Sequence, residues 1–244
     1  ESTTTVMSSQ PELEKFLGSA RFAPYLTEAH GNIDRAQELY RWNNELSGAV
    51  HAQLSHVEIL TRNAIDAALA NWCGSLNPGH DWTAYQQTPT LLYDLGGDAI
   101  RRARRDAKRE AAKRPHTHPR RGAVANHDDI VAQLTFGFWP RILGATDPSL
   151  TPKAKTLWTD ALCQAFPNAY TSDKGREYVG KRLERLRQLR NRVSHHENLL
   201  RVNLNDRMKD VATALNAIDP NCAPWAFHGS RVRSVARADP RNFW

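Results

Sequence analysis

The chain has 244 residues, of which 40% are hydrophobic and 24% charged, and carries a formal net charge of +7. That length fits one large domain or two small ones and is enough to bury a core without cross-links. No run approaches the ~20 consecutive apolar residues of a membrane-spanning helix, so such a span is excluded, and the surplus of positive charge favours anionic partners.

Residues 1–20 begin Ser/Thr-rich, lack the charged-then-apolar order of a signal peptide, and read as a flexible N-terminal tail with a native start at Met7. From Asp34 to Trp72 the positions Leu39, Trp42, Leu46, Val50, Leu54, Val57, Leu60, Ala64 and Ala68 step by threes and fours. This predicts one amphipathic helix of unusual length, or two nearly in line, with Asp34 as N-cap and Cys73-Gly74 as stop. A loop rich in Gly, Pro, Asn and aromatic residues follows over 74–89, and a helix from about Thr90 runs into a basic stretch, Arg101 to Arg121, and stops near Pro115. The loop 115–126 carries His116 and His118, too few ligands for a zinc site.

Asn126 or Asp128 can cap the next helix, which holds Ile130, Val131, Leu134, Phe138 and Trp139 and is shortened or kinked by Gly137 and Pro140. Helices over 152–166, 174–200 and 204–218 complete a domain spanning 21–218, with 219–244 as a C-terminal tail packing on it. No alternating strand pattern and no internal repeat occurs, so the fold class is all-α. Cys73, Cys163 and Cys222 match neither zinc spacing nor a disulfide framework, and a reducing cytoplasm is the expected setting.

Arg190-Asn191-Arg192-Val193-Ser194-His195 concentrates the chemistry. An arginine, an amide and an imidazole supply a phosphate clamp, an orienting group and a proton carrier that titrates near ~6.5. On ideal helical geometry Val179, Leu183, Leu186 and Val193 form an apolar stripe, and Arg190 falls inside it. A guanidinium there needs an anion. It is either paired structurally, with Glu197 one step beyond Val193 as the nearest candidate, or reserved for a phosphate. Asn191 and His195 share a face, whereas Arg190 and His195 lie roughly 140° apart around an ideal helix. One straight helix does not aim both at one atom, so a distorted helix or a cleft between helices or subunits is required.

These residues resemble the Abi-like (abortive infection) family within the HEPN group of helical RNA-processing domains. The resemblance is carried by Leu189-Arg190-Asn191 with His195-His196-Glu197, and by four further segments in the same order. They are Arg21-Phe22-Ala23-Pro24-Tyr25-Leu26, Tyr40-Arg41-Trp42-Asn43-Asn44-Glu45-Leu46, His56 to Ala64, and Leu134-Thr135-Phe136-Gly137-Phe138-Trp139. It implies a HEPN-like helical bundle with long antiparallel helices, and a metal-independent endoribonuclease needing no cofactor.

The resemblance further implies a homodimer whose two motifs build one composite site. His195 would transfer protons, Arg190 would hold the phosphate and Asn191 would orient it, with His196 and Glu197 in support. The RNA 2′-hydroxyl would attack the adjacent phosphorus, in phage defence or as the toxin of a pair restrained by an RNA or protein antitoxin.

Two features stay open. Glu58 and Arg62, at i, i+4 spacing, either pair with each other or, with Asn63, back up the motif from the long helix. The basic stretch is either a solvated, partly disordered helix end or an RNA-facing patch in which Arg101, Arg102, Arg104 and Arg105 join Arg192 on the strand. It has no interleaved aromatics for base stacking. A non-catalytic helical module that binds RNA, nucleotides or a protein partner is the competing function.

Overall fold

The computed structural model describes residues 10–244, and Met7 lies outside the described residues. Eleven α-helices and three short 3-10 turns make up the regular structure, with no strand among the described residues. None of these helices is long and apolar enough to cross a membrane. The chain divides into two compact units, each assembled from separated segments: 1–53, 192–204 and 229–244 in the first, and 54–191 and 205–228 in the second. The division runs through the stretch 21–218 that reads as a single domain in the sequence.

The first unit contains α1 (Gln10–Leu17), α2 (Ser19–Glu28) and the N-terminal half of α3 (Ile33–Leu76). Residues 10–20, expected as tail, are therefore mostly helical. Phe22, Tyr25, Leu39, Trp42, Leu46 and Val50 are buried here, together with Leu199, Val232 and Val235. Polar groups lock this core: Trp42 Nε1 donates to the carbonyl of Val235 at 2.8 Å, and the buried Asn43 side chain accepts the Leu199 N–H at 2.8 Å. The last residues, expected as a C-terminal tail, include the helix α11 (Val232–Arg237) in this unit and α10 (Cys222–Phe227) in the other.

The second unit holds the rest of α3, then α4 (Thr90–Ala112), α5 (His127–Ala132), α6 (Phe138–Ile142) and α7 (Thr151–Asp160), with most of α8 (Asp173–Ser194) and α9 (Leu204–Ile218). α3 is one uninterrupted helix of 44 residues. Its buried stripe leaves the expected register after Val57 and continues through Thr61, Ile65, Ala68 and Leu69 instead of Leu60 and Ala64. A straight helix at 3.6 residues per turn drifts off a strict three-four alternation over this length.

The single helix expected to hold Ile130 to Trp139, shortened or kinked by Gly137 and Pro140, forms as two short ones. Asn126 and Asp129 close a reciprocal capping box on α5, and α6 starts after a turn at 133–137. The segment 152–166 likewise breaks into α7 and a 3-10 turn at Leu162–Ala165. α4 packs on α5, α6 and α7. It comes close to α6 because Gly96 has no side chain: a Cβ there would sit 2.5 Å from the Phe138 ring. Phe138 stacks parallel to Trp82 and meets Trp139 edge-on, which fills the centre of the unit with aromatic surface.

Candidate functional site

The helix carrying the motif stops at Ser194, not near Leu200 as its composition suggests. His196 adopts a left-handed backbone, φ 54°, its N–H donates to the Val193 carbonyl at 3.0 Å, and the Glu197 N–H reaches the Arg192 carbonyl at 2.9 Å. That pair of bonds is a Schellman ending, in which the left-handed position is usually glycine. A histidine there carries a backbone cost of about 1 kcal/mol or more. His195 is the first residue of the turn that follows the helix.

This ending borders a cavity of about 580 Å³ in the first unit, lined by Arg21, Tyr40, Asn43, Asn44, Ser47, Gly48, His51, Val193, Ser194 and His196. Tyr40, Asn44, Ser47 and His51 recur at spacings of four, three and four, so α3 presents a polar stripe to the cavity beside its buried one. His196, not His195, belongs to the lining. Both histidines are exposed. The neighbouring Tyr25 meets the Tyr40 ring edge-on, and burial, reinforced by Tyr40, raises its phenol to about 12.

In the second unit, Arg190 Nε lies 3.7 Å from Glu58 Oε2, both side chains half-buried. Glu58 thus faces the motif arginine. No Glu58–Arg62 ion pair forms among the described residues, and Arg62 and Asn63 follow one turn later on α3, half-buried and exposed respectively. Asn191 is half-buried, and its side chain has no hydrogen-bond partner among the described residues. In the first unit, Glu197 pairs with Arg192 at 3.0 Å, so the anion expected for Arg190 is occupied elsewhere.

The basic stretch is more tightly built than a frayed helix end. Arg114 and Arg120 both bind Asp129, each at 2.8 Å, and Arg114 also donates to the carbonyls of Arg120 and Ala123. Arg104 is committed to the loop before α4: it donates to the carbonyls of Thr83 and Ala84 and to Thr88 Oγ1. It braces that loop. Arg101 pairs with Asp98, whereas Arg102 and Arg105 are exposed and without a partner among the described residues.

One cluster has no counterpart in the sequence reading. His127 donates from Nδ1 to Asp81 at 2.8 Å and from Nε2 to Asp66 at 2.9 Å, while Trp82 Nε1 also donates to Asp66 at 2.9 Å. The hydrogen bonds to Asp66 and then Asp81 raise the imidazole from 6.5 to about 10 against the opposing effect of burial. Burial pushes Asp81 up, but the bonds from His127 and Thr83 outweigh it and hold the carboxyl below its ordinary value. No group of three or more His, Cys, Asp or Glu side chains suited to holding a metal ion occurs among the described residues. His118 of the 115–126 loop instead accepts the Arg120 N–H at its Nδ1, 3.0 Å away.

No protein-family model, curated protein or solved structure matches the chain.

Proposed function

We propose that this chain is a metal-independent endoribonuclease of the HEPN type, akin to the Abi-like proteins, and that it works as a homodimer in phage defence or as a toxin held in check by an antitoxin. The observation that carries this reading is the ending of the motif helix. A left-handed histidine, His196, turns the chain beside a polar cavity that also holds Arg21 and His51. A strained non-glycine residue at a helix ending, next to unpaired cationic and imidazole groups, suits a chemical task better than a structural one.

In this reaction the 2′-oxygen bonds to phosphorus, the bond from phosphorus to the 5′-oxygen breaks, and a cyclic phosphate and a free 5′-hydroxyl result. A proton leaves the 2′-hydroxyl and another reaches the departing 5′-oxygen. His195 is the proton carrier, and Arg190, anchored by Glu58, stabilises the charge that builds on the phosphorane oxygens. Asn191 has its amide free to orient the phosphate. A second copy of the chain supplies the facing half of the site. The end groups test the chemistry. Cyclic phosphate and 5′-hydroxyl termini, and no cleavage where the nucleotide 5′ to the cut carries a 2′-deoxy sugar, are the expected outcome. A 5′-phosphate product contradicts it.

The Arg190–Glu58 pair also favours a second reading, a non-catalytic RNA- or partner-binding module in which Arg190 is structural. Binding of RNA with no products, unchanged in His195→Ala, would select it.

A further inference from the structure

The cavity of the first unit has an unusual inventory. Arg21, Asn44, Ser47, His51, Ser194 and His196 all line it, and none of these side chains has a hydrogen-bond or ion-pair partner among the described residues. No carboxylate of the described residues is in the lining. Together they offer a guanidinium, a carboxamide, two hydroxyls and two imidazoles, so the cavity is rich in donors, holds acceptors as well, and is biased towards an anion. Tyr40 and the two imidazoles add flat faces. Gly48 leaves the floor open, since a Cβ built there meets nothing within 4 Å.

From this inventory we infer that the cavity accepts one unstacked nucleotide of a single-stranded RNA. This rests on the ribonuclease reading for its choice of a strand as the ligand. Arg21 holds the phosphate, as a permanently charged group with no carboxylate among the described residues to neutralise it. The Asn44 amide and the Ser47 hydroxyl, each both donor and acceptor, meet the edge of the base, and Tyr40 or an imidazole covers its face. About 580 Å³ is ample for one nucleotide and far too little for a duplex, whose bases are stacked away inside the helix. The site thus selects single strands and reads one base.

The test uses the full-length chain with His195→Ala, so that binding is read apart from cleavage. Fluorescence anisotropy is followed with a labelled single-stranded RNA octamer, the same sequence as a duplex, and a free mononucleotide as competitor. Gly48→Trp fills the cavity from a helix position with open space around it, and Gly48→Ala is its folding control. The octamer is expected to bind at least about tenfold more tightly than the duplex, and Gly48→Trp and Arg21→Ala each to weaken it by about tenfold or more. Gly48→Ala is expected to melt no lower than wild type, which shows that the helix tolerates a side chain at this position.

Equal binding of duplex, or undiminished binding by a folded Gly48→Trp protein, overturns the inference. So does a free mononucleotide that binds as tightly as the octamer, since the cavity then serves a free ligand. Cavity-dependent binding by a wild-type chain that cuts no RNA would leave this inference standing and remove the ribonuclease reading. Cleavage by wild type with no effect of Gly48→Trp would do the reverse.

Discussion

Glu58 holds Arg190 at 3.7 Å, and it does so from α3, more than 130 residues earlier in the chain. The distance is long for a charge-assisted hydrogen bond and the pair is partly open to solvent, so its own contribution to stability is at most about 1 kcal/mol. Its consequence is directional: the guanidinium keeps one orientation with most of its donors uncommitted. Glu58→Gln is therefore expected to leave the melting temperature nearly unchanged while lowering cleavage by about tenfold. Melting curves beside initial rates separate the two effects, and a loss of stability in step with activity would make the pair merely structural.

His127 sets an alkaline limit. Its folded-state value is raised, so the stabilisation from its two carboxylate partners is complete below about 6.5 and is lost as pH rises through about 10. Discounted for partial exposure, it is worth about 2 kcal/mol. Denaturant titrations should show stability falling between these limits, with the slope flattened in His127→Gln. An identical slope in the variant would assign the alkaline loss to other groups.

Asp129 is the pin of the 115–126 loop. Burial raises its carboxyl, but the Asn126 N–H, Arg114 and Arg120 together lower it to about 2. A depressed value of this kind contributes stability above about 4 that disappears as pH falls through about 2. At neutral pH Asp129→Asn removes the same anchor. Limited trypsin digestion should then cut at Arg120 or Arg121 while wild type resists, and equal resistance would show the loop held by other means.

His196→Gly should stabilise the chain by about 1 kcal/mol, because glycine enters the left-handed region without penalty. RNA binding should fall in the same protein. A variant that is both more stable and fully active would show that the imidazole has no task.

The all-α class and the long third helix were legible because periodicity over 44 residues leaves little room for another period. The place of Arg190 inside an apolar stripe was legible too, and it marked a residue in need of an anion. Which anion was not: Glu58 and Glu197 were both within the motifs, and only packing decides between a helix mate and a residue from α3. The stop at Ser194 was hidden because the left-handed position is His196, and a chain without glycine there reads as a continuing helix. His51 shares a regular four-three-four stripe with Tyr40, Asn44 and Ser47, yet nothing local says that this stripe meets residues 193–196. His127 and its partners lie 46 and 61 residues apart. The helices α10 and α11, six residues each, are shorter than the window in which periodicity informs.

The most direct measurement is cleavage of labelled single-stranded RNA by the purified chain in excess EDTA, with Arg190→Ala and His195→Ala alongside. Products that persist in EDTA and fall by at least about a hundredfold in both variants are the result expected for a histidine proton carrier and an arginine phosphate clamp. Cleavage abolished by EDTA, or undiminished in the two variants, would contradict it.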